Sequence, residues 1–205
     1  SVVLHTGLSG SPTMPSTFSY LGTTYTVTSI GNSAFHAGPA GVGSNSITTI
    51  NLPDTLTSIG TSAFNRCWSL HSMNIPPNVT EIKSSTFAAS DIKVITFDVG
   101  SQLTTISDSA FEGCYYMNGN IILPDSVTTI GDNAFYKVGQ YANPKPSITL
   151  SSSLVNIGYR SFYSSYFPSI TIADSVTTIG TEAFLNCKLT NLTFPTLSSS
   201  LITIG

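Results

Sequence analysis

The chain has 205 residues, 40% hydrophobic and only 8% charged, with a formal net charge of −3. So little charge, set against about 25% in an ordinary globular protein, excludes charge-driven disorder and gives no basic footprint for nucleic acid. No run approaches the roughly 18 consecutive apolar residues that span a bilayer, so no membrane insertion is expected within this segment.

Residues 1–26 read as an N-terminal segment ending in a capping hairpin. Phe18-Ser-Tyr-Leu-Gly-Thr-Thr-Tyr-Thr-Val27 turns around Leu21-Gly22-Thr23-Thr24, with Phe18 and Tyr20 facing Tyr25 and Val27. That hairpin is expected to cover the open edge of the first repeat. From 27 to 205 one signature returns: an Ile, four residues, then a Phe. The pairs are Ile30/Phe35, Ile59/Phe64, Ile82/Phe87, Ile106/Phe111, Ile130/Phe135, Ile157/Phe162 and Ile179/Phe184, and the phenylalanines stand 29, 23, 24, 24, 27 and 22 residues apart. A motif at so regular a spacing predicts a stacked repeat array with one continuous core.

The copy from Asp54 to Pro76 shows the parts. Leu70-x-x-Met73-x-Ile75-Pro76 alternates and is closed by proline, as a short strand would be. Asp54, and likewise Asp125 and Asp174, follows a strand end and suits a reversing turn. Leu/Val-Thr-x-Ile-Gly comes next, suggesting a bend and a second short strand. Gly31, Gly60, Gly131, Gly158 and Gly180 share one position, which suggests a backbone angle that glycine takes most easily. Lys83 and Ser107 stand there in the third and fourth copies. The next residue is Asn32, Thr61, Ser84, Asp108, Asp132 or Thr181, helix N-cap types with Tyr159 the exception, so a short helical turn carrying Ala, Phe and Cys inward is expected.

Cys67, Cys114 and Cys187 each lie three residues after a repeat Phe. Neighbouring strands are about 4.8 Å apart, so equivalent positions two copies apart lie on the order of 10 Å apart, beyond disulfide reach. The same geometry excludes a metal site, and reduced, buried thiols are expected. The chain opens on Ser1 and stops at Gly205, halfway through an eighth copy, which reads as a piece of a longer protein.

These residues resemble the BspA-like leucine-rich-repeat family, found in surface proteins of bacteria and protists. Leu123-Pro-Asp-Ser-Val-Thr-Thr-Ile-Gly-Asp-Asn-Ala-Phe135 and Asp174-Ser-Val-Thr-Thr-Ile-Gly-Thr-Glu-Ala-Phe184 follow its repeat almost letter for letter. The resemblance runs from about residue 18 to the end. It implies a cell-surface or secreted protein used in adhesion to host proteins, cells or glycans, and it carries over no individual binding residue.

Two places could bind. Strand alternation turns Asn51, Asn74, Thr96, Ile122, Thr149, Thr171 and Thr193 outward in one column, and Thr49, Ser72, Val94, Asn120, Ser147, Ser169 and Asn191 in another. The result is an almost uncharged hydroxyl and amide face. Insertions at 36–46 and 136–147 lengthen the first and fifth copies, and solenoid insertions emerge as loops. Around the second gather Tyr136, Tyr141, Tyr159, Tyr163, Tyr166 and Phe167, with Tyr115 and Tyr116 one copy earlier. Tyrosine offers contact area and a hydroxyl at little entropic cost.

No Gly-x-Ser-x-Gly, His-Glu-x-x-His or phosphate loop is present, and the acids belong to turns. His5, His36 and His71 share no column; two are expected exposed and one covering a strand. The expected protein is thus a right-handed leucine-rich-repeat solenoid with short parallel strands and short helical turns. It would hold about 7.5 repeats of ~23 residues behind an N-terminal hairpin cap. It would need no cofactor and catalyse no reaction. The expected function is a binding module for a host or neighbouring-cell protein or glycan. Tyr136, Tyr141, Tyr159, Tyr163 and Tyr166, with Asn51, Asn74, Thr149, Thr171 and Thr193, are its candidate contacts. The alternative is a stalk that displays another domain.

Overall fold

The computed structural model describes residues 9–37 and 46–194, together with the backbone of 203–204. The chain winds as a right-handed parallel β-solenoid, its coils numbered by their phenylalanine, from Phe35 in coil one to Phe184 in coil seven. An N-terminal hairpin of β1 (Thr17–Tyr20) and β2 (Thr23–Thr26) precedes it. Leu21 and Gly22 both take positive φ at its tip, the two-residue turn whose twist suits a hairpin. Phe18 lies opposite Tyr25 as the alternation predicts, and their rings stack 5.2 Å apart. Tyr20 lies opposite Thr23, because the turn holds two residues rather than four. The sheet neighbour of the first coil is residues 10–13, which bridge in parallel to Ile47 and Asn51. Met14 is buried beside them.

One eight-stranded parallel ladder runs the length of the array. It consists of β3 (Ser29–Ile30), β5 (Ser58–Ile59), β7 (Glu81–Ile82), β9 (Thr105–Ile106), β11 (Thr129–Ile130), β13 (Asn156–Ile157), β15 (Thr178–Ile179) and β17 (Thr203–Ile204). The repeat isoleucines from Ile30 to Ile179 are all buried. The second side carries β4 (Thr49–Ile50), β6 (Ser72–Ile75), β8 (Val94–Phe97), β10 (Asn120–Ile122), β12 (Ser147–Thr149), β14 (Ser169–Thr171) and β16 (Asn191–Thr193). These pair in parallel as three short sheets.

Between the two sides stands the phenylalanine spine. Phe35, Phe64, Phe87, Phe111, Phe135, Phe162 and Phe184 stack in order, with centroids 4.9–5.6 Å apart and planes within 10°. Each such ring pair adds about 0.5–1.5 kcal/mol beyond burial itself. The column expected from the repeat is therefore the core.

The helical turns expected after each glycine are absent: no helix occurs among the described residues. The reason is backbone geometry. Ser33, Ser62, Ser85, Ser109, Asn133, Arg160 and Glu182, two residues before each Phe, have φ between 50° and 58°. Arg66, Ala89, Gly113, Lys137, Ser164 and Asn186, two residues after, are left-handed as well. A right-handed helix needs negative φ at successive residues. Stacked turns take its place. In coil two the N–H groups of Ser62, Phe64 and Arg66 donate to the carbonyls of Ser84, Thr86 and Ala88 at 3.0, 2.8 and 2.9 Å. The alternate N–H groups of Ala63, Asn65 and Cys67 donate three residues back within the coil. Every second donor thus binds a neighbouring coil.

Two smaller expectations change with it. The residues read as helix caps bond across coils: Asn32, Asp108 and Asp132 each accept, through Oδ1, the N–H of the corresponding residue one coil on, at 2.8–3.0 Å. The glycines of the repeat do not need a special φ. A Cβ on Gly60, Gly158 or Gly180 would fall 2.5–2.6 Å from backbone of the preceding coil, whereas one on Gly31 would meet nothing within 4 Å. Glycine is there because coils touch. Where Lys83 replaces it, pairing of β5 with β7 shrinks to Ile59 opposite Ile82.

Hydroxyl and thiol side chains that donate to a neighbouring coil's carbonyls reach back toward the N-terminus. Thr57, Thr104, Thr128 and Thr177 donate to backbone carbonyls one coil earlier. Ser126 and Ser175 each reach two such carbonyls. Cys67, Cys114 and Cys187 donate to the carbonyls of Phe35, Phe87 and Phe162. All three thiols are free; Cys67 and Cys114 are buried and Cys187 half-buried.

Candidate functional site

The repeat decides which side chains can leave the core. The residue after each Phe lies outside the spine, and in coils five and six it is Tyr136 and Tyr163. Because coils stack in register, the two rings stack as well, 5.3 Å apart and within 13°. Tyr159 occupies the column of Asp108 and Asp132 and receives Asp132 Oδ1 at its N–H. Arg160 then lies between its neighbours, its guanidinium 4.9 Å from the Tyr159 centroid and 5.1 Å from that of Tyr163. Its Nε donates to Glu182, an ion pair one coil further on. Asn186 Nδ2 donates to the Tyr163 hydroxyl at 3.0 Å, which leaves that hydroxyl's own proton for an outside acceptor.

The fifth-coil insertion adds a second group. Gly139 and Tyr141 donate their N–H groups to the carbonyls of Cys114 and Tyr115, so the loop lies against coil four. Tyr141 is 60% exposed, and its ring packs 5.4 Å from Tyr115 and 5.8 Å from Tyr116 at tilts of 45° and 50°. Tyr166 is half-buried beneath Lys145, whose ammonium sits 4.7 Å from its ring and also donates to the carbonyls of Gly139 and Gln140.

Lys137 joins the two groups. It lies 5.0 Å from the Tyr136 centroid. The Tyr136 hydroxyl, with Tyr115 and Tyr163 contributing less, holds its ammonium above the usual lysine range. Among the described residues neither Lys137 nor Lys145 has a carboxylate partner. Cation–aromatic contacts of this kind are worth about 0.5–1 kcal/mol when exposed.

The structure thus brings together Tyr136, Tyr159 and Tyr163, and separately Tyr141 with Tyr115 and Tyr116. Phe167 does not belong: it is fully buried, edge-on to Phe135 and Phe162. The cations Lys137, Lys145 and Arg160 are not singled out by the sequence motifs. Their signal is concentration, since three of the chain's seven Lys and Arg residues fall among these tyrosines.

Asn51, Asn74, Thr149, Thr171 and Thr193 are exposed on the other side, as alternation predicts. Asn51 and Asn74 line a shallow hollow of about 240 Å³ with Thr49, Ser72, Val94 and Thr96. Thr171 lies opposite Thr193 in the β14–β16 pair. Much of this face bonds to itself: Thr96 donates to Asn74 at 2.8 Å and Ser147 to Asn120 at 2.7 Å. Of the histidines, His71 is exposed and His36 half-buried, while His5 lies outside the described residues. Among the described residues no three His, Cys, Asp or Glu side chains converge on a metal position, and no helix is long and apolar enough to cross a membrane.

The model of the BspA type leucine rich repeat region matches residues 16–142 and 140–205, in six copies. No curated protein matches the chain. A leucine-rich cell surface protein of Faecalibacterium prausnitzii is 28% identical over 90% of this chain and 47% of its own, with a TM-score of 0.71. A leucine-rich repeat protein of Bacteroides ovatus is 28% identical over 93% and 46%, again at 0.71. The pneumococcal vaccine antigen PcpA, 23% identical at a TM-score of 0.59, shares the fold. The chain spans about half the length of these solved structures or less.

Proposed function

The chain belongs to the BspA-type leucine-rich-repeat family, and on that basis we propose that it is a non-catalytic binding module on a cell surface, used in adhesion to a host or neighbouring-cell protein or glycan. The observation that carries this is the tyrosine and cation side of coils four to six. Seven of the chain's nine tyrosines lie between 115 and 166, with three of its seven cations, in a protein otherwise surfaced by hydroxyls and amides. Tyrosine and arginine are the residue types enriched among contact hot spots. In this reading Tyr136, Tyr141, Tyr159, Tyr163 and Tyr166 are the main contacts. Asn51, Asn74, Thr149, Thr171 and Thr193 form a second, uncharged hydrogen-bonding face. The cell-surface description of the Faecalibacterium relative supports the location.

A second reading, a stalk that holds another domain outward, draws support from the self-bonded sheet face, which spends its polar groups internally. Adhesion of cells displaying the full protein separates the two. A binding module loses adhesion by roughly tenfold when Tyr136, Tyr141 and Tyr163 become Ala. A stalk is indifferent to those changes and loses activity gradually as coils are removed.

A further inference from the structure

The hollow on the uncharged sheet face has a chemistry of its own. Thr49, Asn51, Ser72, Asn74, Val94 and Thr96 line its roughly 240 Å³, and no charged side chain does. Sites for drug-sized ligands run to about 300–1,000 Å³, so this one fits a single small ring. Thr49 lies opposite Ser72, Ser72 opposite Val94 and Asn74 opposite Thr96 in the parallel ladder. These side chains therefore stand on neighbouring strands about 4.8 Å apart. Backbone N–H and C=O groups bond along the sheet; what points outward is hydroxyl, amide and the apolar Val94. Two of the amides are already oriented. Thr96 donates to Asn74 Oδ1 at 2.8 Å, which fixes that amide with its Nδ2 donors directed away from Thr96. Asn51 Nδ2 donates to Thr13 Oγ1 at 3.2 Å and keeps Oδ1 as an acceptor. Groups set before a ligand arrives cost less entropy to bind it. Val94 is 38% exposed, the one apolar residue in a column otherwise of Thr, Ser and Asn. Gly119 in coil four has no side chain to cover it: a Cβ there would fall 3.2 Å from Val94 Cγ2.

We propose that this hollow holds a terminal, uncharged pyranose of a glycan chain, its apolar ring face on Val94 and its hydroxyls on Asn51, Ser72 and Asn74. A pyranose offers both surfaces at once, C–H groups on a ring face and vicinal hydroxyls at the edge. A carboxamide matches two neighbouring hydroxyls, accepting a proton at Oδ1 and giving one from Nδ2. An anionic sugar meets no cation here. An extended peptide meets no open strand edge at the centre of the hollow, because β6 is paired on both sides. The hollow is shallow, so the rest of the glycan runs out into solvent. This identification rests on the adhesion reading and gives its uncharged face a ligand class. Affinity from so few contacts is weak, and many copies on one surface raise it by avidity.

Saturation-transfer NMR on the full chain tests it. The probes are methyl glycosides of glucose, galactose, mannose and N-acetylglucosamine, whose blocked anomeric carbon imitates a chain end. Controls are the free sugars, the uronic acid counterparts of the same glycosides, and a tetraglycine acetylated and amidated at its ends. The expected result is saturable binding of at least one methyl glycoside, with its uronic acid counterpart weaker. Asn74→Ala should weaken binding on the order of tenfold and Val94→Thr, which keeps the shape, by roughly threefold. Both residues are exposed, so the melting temperature should stay that of the parent and any loss of binding is local. Replacing Tyr136, Tyr141 and Tyr163 by Ala should leave glycoside binding intact. Binding of no glycoside, binding of free sugars alone, equal binding of the uronic acids or the peptide, or indifference to either hollow substitution would overturn the proposal. So would loss of binding in the tyrosine variant. The adhesion reading fails separately. If adhesion needs the tyrosines while no glycoside binds, this ligand class is wrong and the module stands. If a glycoside binds while adhesion ignores both the hollow and the tyrosines, the sugar site stands and its adhesive use falls.

Discussion

A glycine in this chain is a statement about distance. Gly131 faces Asp108 and Ser107 so closely that a Cβ would fall 2.8 Å from the Asp108 N–H nitrogen. Gly31 holds the same repeat position with nothing in front of it. Gly131→Ala is therefore expected to destabilise by about 1–3 kcal/mol through overpacking, and Gly31→Ala to change little. Paired thermal denaturation checks the contrast; equal shifts would contradict the contact argument. The thiols make a second prediction. Burial pushes Cys67 and Cys114 from 9.0 up to about 12. Their neutral form is the folded form, so their contribution is intact below the unfolded pKa and is lost as pH rises from about 9 toward 12. A Cys67→Ala/Cys114→Ala variant should lose less stability over that window than the parent, measured by urea unfolding at stepped pH. Ser161 supplies a third: its hydroxyl is buried without a partner in the place where most other coils carry Ala. Ser161→Ala should stabilise by about 1 kcal/mol, read from the same denaturation curves.

Among the elements, strands were legible and turns were not. Hydrophobic alternation names the buried face of a strand from side chains alone, and Met73, Ile95, Ile121 and Ile148 are buried where it puts them. The segment from Gly60 to Cys67 has cap residues and apolar spacing that also fit one helical turn. What decides against the helix is the pair of left-handed residues flanking each Phe from Phe64 to Phe184, and Ser, Arg and Glu at those places give no such sign in composition. Inter-coil hydrogen bonds stabilise a conformation that local preference would not choose. Asn133, at φ 55°, offers a test: Ala tolerates the left-handed region poorly, so Asn133→Ala should destabilise by about 1 kcal/mol. In a true helix interior the same change would stabilise by a few tenths of a kcal/mol. The same turns explain the site's partial legibility. The tyrosines could be read from their crowding. The directions of Lys137 and Arg160 could not, since both residues are themselves left-handed, and Phe167 was separated from the tyrosines only by its packing on the spine.

At the scale of the molecule, the spine makes the coils interdependent. Phe111 has a ring on each side and is buried, whereas Phe184 stacks on Phe162 and is only partly buried. Phe111→Ala should cost about 3–5 kcal/mol and Phe184→Ala clearly less, with circular dichroism melts as the measure. Side-chain hydroxyls reach toward the preceding coil, whereas the turn N–H groups, such as those of Ser62, Phe64 and Arg66, reach toward the following one. A fragment cut after a complete coil therefore keeps acceptors for its hydroxyls but strands the N–H groups of its last turn, while one that begins at a coil boundary starts with threonines and serines deprived of theirs. The two faces of a broken array are thus chemically unlike: the turns' backbone donors stand open at one and hydroxyl donors at the other.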